Sequence, residues 1–181
     1  MCKQCEMRPV YEFTNKRKLC KTCFLHYFQK KVLYTIRKFE MIKKEDKIFY
    51  KKAMDFKSVV LAEMLKFVAD KADITFVNSK EKADKIALDS SIDSEAESIL
   101  KTLIRGNVSE LKKNLPALKN EIKPLYLFLD EEILLYAKLK NLKFQKKKEK
   151  RDKIKGFEDE LEKRHPELKR AIVNSVLELY S

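Results

Sequence analysis

Every cysteine of the chain falls within its first 23 residues, as two Cys-x-x-Cys pairs, Cys2/Cys5 and Cys20/Cys23, with fourteen residues between them. Two residues between ligands let one tight turn aim both sulfurs at the same point. Two such turns complete a tetrahedron of thiolates, so the spacing predicts one structural Zn²⁺ on Cys2, Cys5, Cys20 and Cys23. Four thiolates leave no open position for water, which argues against a catalytic zinc. A disulfide pair competes with this reading, but nothing at the N-terminus resembles a signal peptide, and the expectation is a reducing cytoplasm. A redox Cys-x-x-Cys would be single and stand beside a strand–helix unit. His26, three residues after Cys23, is either a substitute ligand or an ordinary helix-surface histidine.

The second pair runs directly into Leu25, Phe28, Val32, Ile36 and Phe39, an apolar stripe at helical spacing. The knuckle is therefore expected to be continuous with a helix over 24–41. Tyr27, Tyr34 and Phe39 carry rings suited to base stacking, but their helical spacing assigns them mostly to the core.

The chain has 181 residues, 44% of them hydrophobic and 38% charged, which suits one core plus a small appendage. No run of about eighteen apolar residues exists to span a membrane. The net charge of +13 points to a polyanion, most often nucleic acid, against the alternative of lysines spread over every solvated face. Only two glycines occur, Gly106 and Gly156. Loops that cradle phosphates need glycine for close backbone approach, so neither a Walker loop nor a dinucleotide fingerprint can be written here.

Downstream, 46–50 reads as a strand and 53 onward as a helix. Residues 74–77 and 85–88 suit buried parallel strands, yet 78–83 is too short for an ordinary crossover helix. Either those strands are not neighbours or a helix has been lost. Ser94 and Glu97 predict a capping box for a helix ending near Gly106. Residues 124–129 read as a strand, Asp130 as the cap of the next helix, and a last helix follows Pro166. Alternating elements argue an α/β layered domain. The expected units are a knuckle with its connecting helix over 1–42 and an α/β domain over 43–181.

The order of these pieces resembles the tRNA-thiolating branch of the PP-loop ATP pyrophosphatases, the 2-thiouridine and 2-thiocytidine synthetases and their wobble-thiolation relatives. The resemblance is carried by the cysteine pairs, by Leu19 to Phe24, Tyr34 to Ile42, Asp84 to Leu88, Asp93 to Ala96, Leu103 to Val108, Ile122 to Leu125, Glu132 to Leu139 and Phe157 to Pro166. It implies a reduced Rossmann-like parallel sheet with flanking helices behind an N-terminal zinc knuckle.

Departures from that family shape the functional expectation. Its enzymes bind ATP with a Ser-Gly-Gly-Lys-Asp-Ser loop after the first strand. The matching positions are Ala53, Met54, Asp55, Phe56, Lys57 and Ser58. Only the last serine survives, and Phe56 stands in the lysine's place. The second nucleotide motif reads Asp89 to Ser94 and keeps one acid, Asp93. The cysteines that the family implies for sulfur or an iron–sulfur cluster have no counterpart. The expectation is a pseudoenzyme with no ATP and no iron–sulfur cluster, acting as a tRNA-binding scaffold beside a catalytic relative or as a homodimer. The alternative is a zinc-knuckle RNA-binding module outside the thiolation pathway, and a residual enzyme built on Ser58, Asp55 and Asp93 is a third reading. Phosphate capture is expected from Lys30, Lys31, Arg37, Lys38, Lys43, Lys44, Arg105 and the run containing Lys146, Lys147, Lys148, Lys150 and Arg151. Arg105 reads equally well as a cation at a helix C-terminus.

Overall fold

A computed structural model describes residues 1–145, 156, 160–162 and 164–180. The chain opens with an antiparallel ribbon, β1 (Tyr11–Glu12) and β2 (Lys18–Leu19). Helix α1 (Lys21–Lys38) starts at the second cysteine pair, with Cys20 at its N-cap. Next come β3 (Lys47–Tyr50), α2 (Phe56–Ala69), β4 (Thr75–Phe76), β5 (Lys85–Ala87) and α3 (Ile92–Ile104). The hairpin β6 (Ala117–Leu118) and β7 (Glu121–Ile122), α4 (Asp130–Leu139) and α5 (Leu168–Leu179) complete the described elements.

The five-stranded sheet has the order β4-β3-β5-β7-β6 and is parallel except for the β6–β7 edge. This order resolves the short 78–83 connection. β4 and β5 are not neighbours: each pairs with β3, on opposite sides, and a 3-10 turn at Lys80–Lys82 links them. Strand order thus reverses at β3, and the crevice outside the carboxyl ends of β3 and β5 is a topological switch point, where open α/β sheets bind ligands.

The expected α/β fold stands, with differences of detail that have local causes. Ser91, not Ser94, caps α3. Its hydroxyl accepts the Ser94 N–H while the Ser94 side chain reaches back to the Ser91 N–H, and Glu97 instead pairs with Lys101 one turn on. Residues 124–129 are buried turns rather than a strand. Pro124 has no N–H for a ladder, and the Tyr126 and Phe128 N–H groups bond back to Lys123 and Leu125. The neighbouring strand is β7, two residues earlier and too short for a periodic signal. Asp130 is the first residue of α4, not its cap; Glu132 accepts the Leu129 N–H from within the first turn.

Two apolar clusters form the core. The larger joins the knuckle and α1 to β3, α2 and α4, with Phe28 packed on Phe128 at 4.2 Å and Tyr136 at 4.3 Å between ring centres. The smaller holds α3 against α5 through Ile92, Ala96, Ile99, Val173 and Val176. Among the described residues no helix is long and apolar enough to cross a membrane.

Candidate functional site

Two polar centres stand out. At the first, the Sγ atoms of Cys2, Cys5, Cys20 and Cys23 all lie within 4.8 Å of one another. Cys5 to Cys20 is 3.3 Å and Cys5 to Cys23 is 3.5 Å, well beyond a disulfide bond of about 2.05 Å. The first pair sits in a turn closed by the Met7 N–H on the Cys5 carbonyl, with Glu6 in the left-handed region at φ 61°. The second pair straddles the start of α1. Burial pushes the Cys2 thiol up, but N–H donors, that of Gln4 first, outweigh it and bring it to about 6. Hydrogen bonding to Cys5, then burial, pushes Cys23 to about 12. The four thiols titrate as one set, and a metal that takes all four as thiolates displaces their remaining protons. His26 is exposed on α1 and lies outside this group.

The second centre is the switch-point crevice. Three carboxylates follow three successive parallel strands: Asp55 after β3, Asp89 after β5 and Asp130 after β7. Asp55 caps α2 by accepting the Lys57 and Ser58 N–H groups at 3.1 and 3.2 Å. The Ser58 hydroxyl lies between Asp55, at 2.9 Å, and Asp89. The Lys57 ammonium crosses the crevice to Asp130 at 3.1 Å and donates to Ser94 at 3.1 Å and Ser91 at 3.3 Å. Burial raises the Asp130 pKa against the pull of Lys57. With a carboxylate on the α2 N-terminal N–H groups and all three lysine protons engaged, the crevice as it stands accepts hydroxyl or cationic groups more readily than a polyphosphate.

The lysine reading needs revision. Phe56 holds the motif position, but Lys57 is the side chain that enters the crevice. Asp93 does not join Ser58; it accepts the Asp130 N–H at 2.7 Å and Lys169 at 2.8 Å, which ties α3 to α4 and α5. Sequence reasoning missed Asp89, Asp130 and Lys57 as a group. The signal of the acids was positional, one beyond the carboxyl end of each of the three adjacent strands β3, β5 and β7, and it needed the sheet order to be read.

Of the cations assigned to RNA, Lys30, Arg37, Lys38, Lys43, Lys44 and Arg105 are exposed. Lys31 is not: its ammonium lies 3.3 Å from buried Glu132 and 4.4 Å from the Phe128 ring centre. Burial, opposed by Glu132, lowers its pKa to about 8. Lys146, Lys147, Lys148, Lys150 and Arg151 lie outside the described residues.

Neither a family model nor a curated protein matches the sequence. Among solved structures, the chain superimposes on the U34-tRNA thiolase NcsA from Methanococcus maripaludis with its [4Fe-4S] cluster, with a TM-score of 0.78 and 21% identity. The match covers 98% of this chain and 86% of that one. The chain has the fold of a tRNA thiolase. The resemblance in the order of the sequence segments therefore holds at the level of architecture.

The same comparison corrects two expectations. A chain that is no enzyme was expected from the missing phosphate-binding glycines, lysine and further cysteines, but the shared fold is that of a protein described as a thiolase, and the crevice holds a lysine, a serine and three acids. Zinc was expected from ligand spacing, and the absence of an iron–sulfur cluster from the missing counterparts of the cysteines that the resemblance implies. That exclusion does not stand: four thiolates are also the ligand set of a [4Fe–4S] cluster, the neighbour is described with one, and the gathered cysteines supply four thiols.

Proposed function

We propose that this chain acts on tRNA in thiolation. The reading is supported above all by likeness in fold to the described thiolase across almost the whole chain. Two features of the residues fit it. The gathered cysteines are the chain's only thiols, so an iron–sulfur cluster carried here would take its thiolate ligands from Cys2, Cys5, Cys20 and Cys23. Such a group supplies a redox-active iron centre. The exposed cations Lys30, Arg37, Lys38, Lys43 and Lys44 supply phosphate contacts that position an RNA without reading its sequence.

Within the crevice, Asp55, Asp89 and Asp130 offer acceptors to ribose or base donors, and Lys57 is the movable cation. Its exchange from Asp130 to an incoming oxygen would free that carboxylate to accept a proton. The deciding experiment is nucleoside mass spectrometry of total tRNA from the source organism with the gene deleted. Loss of 2-thiouridine, restored by the intact gene, supports the reading. An unchanged complement of thiolated nucleosides overturns it.

A further inference from the structure

The solvent face of α1 beside the knuckle is concave, and nothing in the crevice or the cysteine cage uses it. Gln4 from the knuckle turn and His26, Tyr27, Lys30, Lys31 and Tyr34 of α1 line an open pocket of about 310 Å³. This is the low end of the size range for small-ligand sites, room for one ring and its attached phosphate rather than a larger ligand. The spacing explains why these side chains converge: 26, 30 and 34 are one turn apart along a single face, as are 27 and 31.

The two tyrosines play different parts. Tyr27 is fixed: its hydroxyl reaches Glu132 at 3.3 Å, and its ring meets Phe13 edge-on at 5.0 Å with the Arg17 guanidinium at 5.0 Å. Tyr34 is 50% exposed, although a helical position beside the core could have hidden it. Its described neighbour is the Lys38 ammonium, 5.8 Å from the ring centre. Lys30 stands exposed between them, and Arg37 and Lys38 continue the positive face beyond Tyr34. The acid below, Glu132, is fully buried under Lys31 and Arg170 and is balanced there. A half-exposed aromatic ring, a fixed aromatic wall and a row of cations form a stacking platform with a phosphate track, the combination that holds single-stranded nucleic acid.

We propose that this pocket is the docking site for one unstacked nucleotide of an RNA strand. The base stacks on Tyr34, Tyr27 forms the wall, Gln4 offers a polar edge, and Lys30 with Lys38 takes the flanking phosphates. The inference rests on the proposed action on tRNA for the identity of the RNA.

Fluorescence anisotropy with the metal-loaded full chain tests it, using a labelled single-stranded tRNA-loop oligonucleotide and a blunt RNA duplex of equal length across a salt series. The single strand is expected to bind more tightly than the duplex. Tyr34→Ala is expected to weaken it roughly 5- to 150-fold with an unchanged salt slope, and Tyr34→Phe to bind as the wild type does. Lys30→Gln should lower the salt slope by about one. Tyr34 is half exposed, so circular dichroism should show an intact fold in each variant. Equal affinity of Tyr34→Ala and wild type, preference for the duplex, no binding of either RNA, or equally effective competition by polyglutamate would each overturn the proposal. Failure of the thiolation reading has a separate signature: 2-thiouridine persists in the deletion strain while the Tyr34→Ala defect in RNA binding remains.

Discussion

Replacing Glu132 with alanine tests how the helices are held together. Its carboxylate is fully buried and serves three helices: Lys31 and Tyr27 of α1 at 3.3 Å each, Arg170 of α5 at 3.4 Å, and the Leu129 N–H at the start of α4 at 2.9 Å. Removing one partner of a buried pair costs about 3–5 kcal/mol, because the other charge stays desolvated. Lys31, 15% exposed at its side chain, is the charge left stranded, whereas Arg170 is 27% exposed and has Glu167 at 3.5 Å as a second partner. The orphaned Leu129 N–H places the loss toward the upper end. At about 2–4 °C per kcal/mol for a chain of this length, Tm should fall by about 6–20 °C. Lys31 already titrates near 8 with Glu132 opposing the effect of burial. Without the acid its pKa falls further, so the deficit in parallel urea titrations should be smaller at pH 9 than at pH 7. Lys31→Met with Glu132→Leu should recover the part of the loss that comes from the stranded ammonium, since an apolar pair replaces the ion pair, while the Leu129 N–H stays without its acceptor. A loss under about 1 kcal/mol at pH 7 would refute the assignment of Glu132 as the hub of these helices.

Other outcomes follow from the same contacts. The Lys31 pKa in the folded chain, about 8, lies below its ordinary 10.5, so the unfolded chain binds more protons between these values and stability should rise with pH there. Tyr11 and Tyr27, pushed above their ordinary 10 first by burial, reverse that trend above about pH 10; Lys31→Met should abolish the rise and keep the fall in a pH series of denaturant midpoints. Cys20→Ser is expected to abolish metal binding by the chain and the hydrogen-exchange protection of 21–28, checked by iron, sulfide and zinc analysis per chain; metal content equal to that of the wild type would remove the cage from consideration as a metal site. Lys57→Met breaks a pair whose side chains are 22% and 31% exposed, so after solvent screening it should cost only about 1 kcal/mol while lowering 2-thiouridine in complementation; full complementation would remove the crevice from the function. Phe28→Ala, which empties the space between Phe128 and Tyr136, should cost about 3–5 kcal/mol in denaturant titrations.

The sequence made the gathering of the four cysteines readable because ligand spacing is a local property: two residues between sulfurs fix a turn regardless of the rest of the chain. It also carried the strands at 47–50 and 85–87, where apolar runs are bounded by polar residues. The 124–129 segment misled because burial makes turns as apolar as strands, and only the missing N–H of Pro124 separates them. The crevice escaped for a different reason. Asp55, Asp89 and Asp130 are 34 and 41 residues apart in the chain, and nothing in their immediate neighbourhoods says that three strands will end side by side. Lys57 was hidden by alignment to a motif, which assigns roles by position, whereas its long stem reaches where its Cα does not stand. Lys31 counted as a phosphate cation because helical phase alone could not reveal the buried carboxylate beneath it.

The start of α1 joins the helix and the four cysteines in one charge balance. Cys20 at the N-cap makes no side-chain cap bond, and the first turn contains no acid. The half positive charge that gathers at such an end therefore has the thiolates as its counter-charge. Four thiolates around a dication carry a net charge of −2, and a centre of different net charge would compensate that end to a different degree. The charge of an ion held by these cysteines would therefore bear on how firmly the first turn of α1 is wound, the one turn over which the effect of such an end extends.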